Sequence, residues 1–263
     1  MELRGRVAVI TGGAGGIGAA MARRFVAEGA EAVVVADLDA TAAAGIAAEI
    51  GPAASAGAVD VTDEEQVRGL VRDVERRYGR IDLFCANAGI TTGAGLAAPD
   101  ADWGRAWEVN VLGHLYAARA ALPGMLARGE GYLLQTCSAA GLLTAVGDAP
   151  YTVTKHAAVG LAEWLAITYR DQGIRVSALC PQGVRTPMLT EGLDRGHLGA
   201  RVTAASGAVL TPEQVADAVV AGLADERFLI LPHPEVAGFA RRRAEDPDGW
   251  LAAMRSLVRR LTG

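Results

Sequence analysis

The stretch Thr11-Gly-Gly-Ala-Gly-Gly-Ile-Gly18 decides the fold of this chain because of the two segments that flank it. It follows the apolar run 7–10 and leads directly into a helical pattern that starts at Gly16. Glycines at such a turn let the backbone approach a pyrophosphate, and the N-terminus of the following helix attracts the negative charge. A plain strand-to-helix turn is the alternative. Because Gly15 and Gly16 are both present, the loop fits two glycine spacings and does not by itself identify a subfamily.

Outward from this loop, short β-branched runs alternate with longer helical patterns along the chain. This alternation predicts βαβ units and a sheet that is covered on both faces. We expect an α/β fold of the Rossmann type, doubly wound, with a seven-stranded, mainly parallel sheet and helices on both faces. The predicted strands are 7–10, 32–36, 55–59, 81–85, 131–136, 175–179 and 228–231. The predicted helices are 16–28, 41–50, 64–78, 103–127, 150–172 and 212–224.

The second predicted strand leads to Asp37, nineteen residues after Gly18. A carboxylate at this place can bond the ribose hydroxyls of a dinucleotide, and it repels a 2′-phosphate. No arginine or lysine lies inside the glycine loop or next to Asp37, so the extra phosphate of NADP would meet no positive charge. We therefore predict NAD as the cofactor. Asp39 is the competitor for this role, but an exposed helix start suits it better.

Composition limits the function classes. The 263 residues are 51% hydrophobic and 21% charged, and no Pro/Gly/Ser-rich linker divides them, so we expect a single domain over 1–263. A net charge of −5, with charges of both signs mixed along the chain, argues against a nucleic-acid partner. The four histidines lack metal-ligand spacing, so we expect no metal. Three cysteines without paired spacing are expected to be buried packing groups: Cys85, Cys137 and Cys180.

The apolar runs and the cysteines also indicate where in the cell the protein is found. No apolar stretch is long enough to span a membrane, so we expect no membrane partner. The apolar run near the N-terminus is shorter than the apolar core of a secretory signal. Unpaired cysteines also fit a reducing compartment. We therefore expect a cytoplasmic location.

A second motif, Tyr151-Thr-Val-Thr-Lys155, begins thirteen residues after Ser138. A tyrosine and a lysine four residues apart share one face of a helix, so the ammonium can favour the ionised form of the phenol. Oxidation of an alcohol needs such a proton acceptor at the hydroxyl while hydride leaves the carbon. Each residue alone has an ordinary explanation, as a turn serine or as a surface pair. Their order behind a dinucleotide loop favours the catalytic interpretation.

With these residues together, the chain resembles the short-chain dehydrogenase/reductase family, in its single-domain branch with a TGxxxGxG loop and a YxxxK site. The resemblance covers residues 5 to about 231, and its motifs are specific in combination. Further matches are Asp60-Val61, Asn87-Ala88-Gly89, Asn110 and 181–186. The family implies an NAD-dependent oxidoreductase that interconverts a secondary alcohol and a ketone.

The resemblance also implies a role for each matching residue. Tyr151 would be the acid/base, Lys155 would bond the nicotinamide ribose, and Ser138 would stabilise charge on the substrate oxygen. Asn110 would hold a water that links Lys155 to solvent, although a helix asparagine can simply bond a backbone carbonyl. The other matches would bind the cofactor: Gly12, Gly15, Gly16, Ile17 and Gly18 in the loop, Asp60 and Val61 at the adenine, Asn87, Ala88 and Gly89 at its ribose, and Pro181, Gly183, Val184 and Thr186 after the sixth strand.

One position departs from the family, which commonly has Pro-Gly where this chain has Pro-Gln182. The amide either reaches the nicotinamide or the polar end of the substrate, or it points away; we favour the substrate side. The segment 186–209 has weak periodicity and predicts a mobile flap that closes on substrate. Leu189, Leu193 and His197 in this segment are candidate substrate contacts. Further presumed pocket residues are Ile90, Ala139, Ala140, Leu142, Leu143 and Leu198.

This mainly apolar wall favours a hydrophobic or alicyclic substrate. Two other functions remain open. A nucleotide-sugar epimerase or dehydratase uses a related loop and Tyr/Lys pair, but too little chain follows the sixth strand for a sugar-nucleotide domain. A dinucleotide-sensing protein without turnover is the second alternative, which the intact Ser138, Tyr151 and Lys155 disfavour.

Assembly is inferred from two helices with apolar and small residues at helical spacing. The family implies that they form a dimer interface within tetramers, so we predict a homotetramer, with a dimer as the alternative. The apolar and small residues of the two helices are Trp103, Trp107, Val111 and Leu115 on one helix and Ala157, Ala158, Gly160 and Ala162 on the other. The basic, helical tail 233–263 is predicted to be a solvated helix face, with an interface role as the alternative.

Overall fold

In a computed structural model that describes residues 1–263, the glycine loop joins strand β1 (Val7–Thr11) to helix α1 (Gly16–Ala27). The other strands are β2 (Ala32–Asp37), β3 (Ala54–Ala58), β4 (Leu83–Ala86), β5 (Gly131–Thr136), β6 (Ile174–Leu179) and β7 (Leu229–Ile230). They form one sheet in the order β3-β2-β1-β4-β5-β6-β7, with every neighbouring pair parallel. The predicted doubly wound α/β fold is confirmed, and the sheet is parallel throughout rather than mainly parallel.

Ten further helices surround this sheet. They are α2 (Ala40–Ile50), α3 (Glu64–Tyr78), α4 (Asp100–Trp107), α5 (Gly113–Arg128), α6 (Ala149–Tyr169), α7 (Pro187–Asp194), α8 (Leu198–Ala205), α9 (Pro212–Ala224), α10 (Glu235–Glu245) and α11 (Pro247–Thr262). The single helix predicted over 103–127 is instead α4 and α5, joined by a π-helical turn at Glu108–Leu112. None of the helices has both the length and the apolarity that a membrane span requires.

Side chains of β1 alternate between two separate cores. Val7 and Val9 pack in a cluster with apolar residues of α3, α5 and α6, whereas Ala8 and Ile10 pack with residues of α1 and α9. Successive residues of a strand point to opposite faces, so an all-apolar strand needs cover on both sides. This explains why the strand reads as a continuous apolar run in the sequence.

The carboxyl edge of the sheet is held together by one amide, that of Asn87, which follows β4. Its Nδ2 donates to the carbonyl oxygens of Thr11 and Gly12, at 3.1 and 3.2 Å, and its Oδ1 accepts from the Thr136 hydroxyl at 3.1 Å. These bonds join the ends of β1, β4 and β5. The strand order reverses between β1 and β4, and open α/β sheets bind ligands in the crevice at such a reversal.

The segments that follow β6 and β7 are the predicted flap and the predicted tail. The presumed flap 186–209 contains the two short helices α7 and α8. The tail is solvated on one side only, because Trp250 of α11 and Val236 of α10 pack against Ala139 and Leu143, just after β5. The tail therefore covers the carboxyl edge of the sheet.

The small residues of α6 also lie differently from the prediction. Ala158 and Ala162 were expected on a surface between subunits, but both are fully buried against the sheet. The outward face of α6 instead exposes Val153, Trp164 and Ile167. Helical spacing alone marks an apolar stripe and does not say which of two neighbouring stripes faces the sheet.

Candidate active site

A cavity of about 610 Å³ lies at the carboxyl edge of the sheet, and it gathers most of the predicted site residues. Those that line it are Gly12, Gly15, Gly16, Ile17, Asn87, Ala88, Gly89, Ser138, Tyr151, Lys155, Pro181, Gln182, Val184, Thr186, Leu189 and His197. Those outside its lining are Gly18, Asp37, Asp60, Val61, Asn110, Gly183 and Leu193. Of the presumed apolar wall, Ala139, Ala140 and Leu143 line the cavity, whereas Ile90, Leu142 and Leu198 do not.

The glycine loop has the shape that a pyrophosphate requires. Gly12 has φ +62°, and a Cβ there would lie 2.9 Å from the Ala88 Cα, while a Cβ at Gly18 would collide with the Gly12 carbonyl oxygen. A Cβ at Gly15, by contrast, would project into open space. Gly15 is the N-cap of α1, and no side chain caps that helix. The uncapped N–H groups at the start of α1 therefore border an open cradle that fits an anion.

Asp37 lies beside this loop at the end of β2. Its Oδ2 accepts from the backbone N–H of Ala14 at 3.0 Å, and its Oδ1 accepts from the N–H of Asp39 at 3.2 Å. Each carboxylate oxygen retains acceptor capacity for a ribose hydroxyl. Asp39 is exposed and caps α2 by accepting from the Ala42 N–H at 2.9 Å, which is the helix-start role that the sequence favoured for it.

Asp60 and Val61 form the turn after β3. The Asp60 Oδ1 accepts from the N–H and the hydroxyl of Thr62, at 2.9 and 2.7 Å. The backbone bond from Thr62 is the main reason that the pKa of Asp60 is lowered. Val61 is buried against Gly113, at the start of α5. These contacts fix the turn that the resemblance places at the adenine.

Lys155, the only lysine in the chain, is buried at the floor of the cavity. Its Nζ donates to the Thr136 carbonyl oxygen at 2.9 Å and lies 5.6 Å from the centre of the Tyr151 ring. Burial lowers the pKa of the ammonium to about 8. A Cβ at Gly89 would lie 3.2 Å from both the Lys155 Nζ and the Asn110 Oδ1, so the absence of a side chain at 89 leaves this space free.

The Tyr151 phenol differs from the prediction. Its side chain is half-buried at the cavity wall, and burial raises the pKa of Tyr151 to about 12. The nearby Ser138 hydroxyl lowers the pKa of Tyr151 and so opposes the rise, whereas the negative charge of Asp148 adds to it. The ammonium of Lys155 was expected to favour the ionised phenol. In the protein alone, burial is the largest influence on the pKa of this phenol, and it disfavours the phenolate.

Ser138 is held in a strained conformation at the end of β5. Its φ is +85° and its ψ is 148°, a region that residues with a side chain rarely adopt. The backbone N–H donates to the Leu179 carbonyl oxygen at 3.1 Å, and the hydroxyl accepts from the Ala140 N–H at 3.2 Å. Neighbouring strand and turn bonds thus hold the serine at the cavity wall.

Asn110 lies in the π-helical turn, fully buried. Its Oδ1 accepts from the Ile90 N–H at 2.9 Å, and its Nδ2 donates to the Ile90 carbonyl oxygen at 2.9 Å and to the Thr154 hydroxyl at 3.1 Å. The bond to a backbone carbonyl, which the sequence left open as an alternative, is therefore present. The water between Lys155 and solvent stays a prediction.

Sequence reasoning missed Asp148, which is buried at the N-cap of α6. Its carboxylate accepts from the N–H and hydroxyl of Thr92, from the Gly93 N–H and from the Tyr151 N–H, at 2.7 to 3.0 Å. It joins the loop after β4 to the helix that carries Tyr151 and Lys155. An aspartate one residue before Ala149-Pro150 is a typical N-cap signal, so the sequence contained the information.

Gln182 is fixed by a histidine that the prediction did not use. The Gln182 N–H donates to Nδ1 of buried His233 at 3.1 Å, which makes Nε2 the protonated nitrogen, and Nε2 donates to the Gly183 carbonyl oxygen at 3.1 Å. The Gln182 side chain lines the cavity, and its Oε1 is buried without a hydrogen-bond partner. An unpaired buried acceptor is costly unless a ligand satisfies it.

The three cysteines are buried and unpaired, as predicted. Burial raises the pKa of all three thiols, and that of Cys137 reaches about 12. A protonated, enclosed thiol is unreactive, which fits a packing role.

Comparison with known proteins identifies the family of this chain. The chain matches the family model described as short chain dehydrogenase over residues 6–195. It is 35% identical over 257 residues to a 1-deoxy-11-beta-hydroxypentalenate dehydrogenase of Streptomyces exfoliatus, covering 95% of this chain and 90% of that protein. It is 36% identical over 239 residues to 3beta-hydroxysteroid dehydrogenase 2 of Eggerthella lenta, covering 87% and 91%. A short chain dehydrogenase/reductase from Burkholderia phymatum, crystallised in complex with NAD, has the same fold at a TM-score of 0.86 and 30% identity, covering 94% of this chain and 96% of that one.

Proposed function

Because this chain belongs to the short-chain dehydrogenase family and is an oxidoreductase of CH–OH groups, we propose that it interconverts a secondary alcohol and a ketone on a mainly hydrophobic small molecule, with NAD(H). One observation carries the proposal. A single cavity is lined by the open glycine cradle, by Ser138, Tyr151 and Lys155, and by an apolar wall. A hydride carrier, an acid/base and a hydrophobic substrate would therefore meet in one place.

In this proposal Tyr151 exchanges a proton with the substrate oxygen, and the Ser138 hydroxyl holds that oxygen. The nicotinamide, when bound, supplies the hydride chemistry. A phenol whose pKa is about 12 is protonated at neutral pH, so it is ready to donate to a ketone oxygen. Alcohol oxidation requires the reverse transfer, and added positive charge near the phenol favours it. Lys155 would contribute such charge and would bond a ribose.

The choice of NAD over NADP rests on Asp37. Its carboxylate lies at the glycine loop, where a 2′-phosphate would meet a negative charge. The related Burkholderia phymatum structure holds NAD. The adenine side of the cofactor would lie against Asp60 and Val61, and its ribose against Asn87, Ala88 and Gly89.

The substrate class rests on the cavity wall and on two relatives. Their names describe a hydroxypentalenate dehydrogenase and a hydroxysteroid dehydrogenase, so each name contains a hydroxylated substrate. Ala139, Ala140 and Leu143 give this cavity an apolar wall beside Ser138. We assign Gln182, Leu189 and His197 to the substrate side, because all three line the same cavity.

A single experiment tests cofactor and reaction together. The purified protein is titrated with NADH and with NADPH by fluorescence, and alicyclic ketones are then added while nicotinamide absorbance is followed. We expect preference for NADH and ketone-dependent oxidation of it. Comparable kcat/KM for NADP and NAD would overturn the cofactor assignment. Tight NADH binding without turnover of any alcohol or ketone would favour the dinucleotide-sensing alternative.

The role of Tyr151 is tested by Tyr151→Phe, with Tyr116→Phe as a matched control outside the cavity lining. Loss of a positioned acid/base lowers rates about 10²- to 10⁴-fold, so we expect kcat to fall by that factor while the NADH dissociation constant is unchanged. The control should keep its turnover. Near wild-type kcat in Tyr151→Phe would contradict the mechanism.

A further inference from the structure

The outer wall of the cavity is formed by one face of α11. Trp250, Ala253, Met254, Leu257 and Arg260 all line the cavity, and their spacing of three and four residues places them on one side of the helix. The first four are apolar or small, and Arg260 lies ten residues beyond Trp250, about 15 Å along the helix axis at the usual rise. The wall therefore changes from apolar to cationic along its length.

This wall lies on the substrate side of the cavity. Trp250 packs against Ala139 and Leu143, the residues that follow Ser138. Near its other end, α11 is attached to α8 by a hydrogen bond from Arg201 to the Leu261 carbonyl oxygen. The helix thus extends from the neighbourhood of the reacting oxygen to the outer part of the cavity.

A second cation, Arg242 of α10, lines the same cavity. Both guanidinium groups are exposed, and neither forms an ion pair or hydrogen bond within the chain. Arg242 makes only a cation-π contact with the Phe239 ring, at 6.0 Å. Its neighbour Arg243, in contrast, donates to the Leu142 carbonyl oxygen at 3.0 Å.

The charge of the cavity is opposite to that of the whole protein. Lys155, Arg242 and Arg260 are the cationic side chains in its lining, and Asp148 is the one carboxylate. Asp148 already accepts four hydrogen bonds at the start of α6 and is buried. In a chain with a net charge of −5, the outer cavity therefore holds two cations without a counter-charge.

We propose that Arg242 and Arg260 form an anion site, and that the substrate is an organic anion. Its apolar body would lie along Trp250, Met254 and Leu257, and its carboxylate or similar oxyanion would lie between the two guanidinium groups. Arginine suits this role because its planar fork donates two parallel hydrogen bonds to an oxyanion. This inference rests on the proposed function and narrows its substrate class.

The test uses two fluorescent probes that share an aromatic body and differ by one sulfonate: 8-anilinonaphthalene-1-sulfonate and N-phenyl-1-naphthylamine. Each is titrated into the NAD⁺-loaded protein. Exposed charge pairs contribute modestly, so Arg242→Gln and Arg260→Gln should each weaken binding of the sulfonate about two- to fivefold, and the double variant about tenfold. Binding of the neutral probe should be unchanged, which also shows that the variants are folded.

Matched controls are Arg241→Gln on α10 and Arg255→Gln on α11, two unpaired arginines outside the cavity lining. They should leave the sulfonate affinity unchanged. Equal loss of both probes, equal loss in the controls, or no sulfonate binding to the wild type would overturn the anion site. Weaker NAD⁺ binding in the two variants would also overturn it, because the cations would then serve the cofactor. The probes report binding without turnover, so a failure of the proposed function appears separately, as an inactive wild type.

Discussion

Ser138 shows how one residue can serve the site at a cost to the fold. A residue with a side chain at φ +85° and ψ 148° carries strain of about 1–3 kcal/mol. Glycine adopts the same backbone conformation without this strain. The β5–β6 bonds and the Ala140 N–H hold the serine there nonetheless. The hydroxyl, rather than the backbone, is therefore the reason for a serine at this position.

We expect Ser138→Gly and Ser138→Ala to lose activity alike but to differ in stability. Both lack the hydroxyl, so both should lower kcat by about 10²-fold, the cost of one lost hydrogen-bond donor to the reacting oxygen. Ser138→Gly should be more stable than Ser138→Ala by about 1 kcal/mol, because only glycine relieves the strain. Urea unfolding of the cofactor-free proteins measures this. An alanine variant as stable as the glycine variant would contradict it.

The buried charge of Lys155 lowers the stability of the fold in a pH-dependent way. Its folded pKa, about 8, lies below the ordinary 10.5, so the unfolded chain binds more protons between these values. By linkage, the buried ammonium lowers the free energy of unfolding by its full amount below pH 8. This loss of stability becomes smaller as the pH rises and is gone above 10.5. We expect Lys155→Met to be inactive yet more stable than wild type by about 2–3 kcal/mol at pH 7, with a smaller difference at pH 9.5. Urea unfolding at the two pH values measures it; a difference independent of pH would contradict the burial argument.

At the scale of elements, Asp148 connects α6 to the loop after β4. We expect Asp148→Asn to lose about 2–4 kcal/mol of stability, because an amide cannot accept all four of the present hydrogen bonds. Removing the negative charge also lowers the pKa of Tyr151, since Asp148 raises it. Ketone reduction needs the protonated phenol, so the alkaline limb of its kcat/KM profile should move to lower pH.

The control for this variant is Asp246→Asn, which removes the same charge from the exposed N-cap of α11. It should leave the pH profile in place. If Asp148→Asn loses stability with an unchanged alkaline limb, Asp148 has a structural role only and does not tune Tyr151.

Elements with a strong period were predictable from the sequence, and those without one were not. The helix over 64–78 was predicted with its observed bounds, because Val67, Leu70, Val71 and Val74 form an i, i+3, i+4, i+7 stripe. Helices α7 and α8 have eight residues each, too few turns to show a period. The stripe on α11 was visible, but the same stripe suits any apolar partner, so the sequence did not indicate that it covers the cavity.

The positions of the main site residues were predictable from the sequence, whereas their electrostatics and long-range contacts were not. Spacing placed Tyr151 and Lys155 on one helix face and brought the glycine loop, Ser138 and this pair to one edge of the sheet. The direction in which the pKa of Tyr151 is shifted was not predictable, because burial of the phenol depends on chain segments that are distant in sequence. The Gln182–His233 contact joins residues fifty-one positions apart and carries no local pattern.

At the scale of the whole molecule, α4 and α6 leave an apolar surface uncovered. Trp107, Val153, Trp164 and Ile167 are exposed, and Ile167 retains 82% of its accessible surface. The last three lie on one face of α6, with exposed Gly160 between them, which allows close approach of a second helix. Exposed large apolar side chains grouped on one helix face are typical of an interface between subunits.

We therefore propose that this surface is a subunit interface of the predicted homotetramer, or of a dimer, and we expect Trp164→Glu and Ile167→Glu each to lower the assembled mass, because each places a charge in an apolar interface. Leu251→Glu is the matched control, an exposed leucine of α11. Light scattering measures the mass of each protein. A monomeric wild type, or a wild-type mass retained by both variants, would contradict this interface.

The burial of Lys155 has a practical consequence. Every other positive side chain that carries a permanent charge is an arginine, so the surface of the protein presents no side-chain amine. Amine-coupling reagents, whether used for immobilisation or for dye conjugation, would find no lysine side chain to react with on the surface of these 263 residues. Acylating enzymes that modify accessible lysines would likewise find no target on the folded residues 1–263, because their one lysine is enclosed at the floor of the cavity.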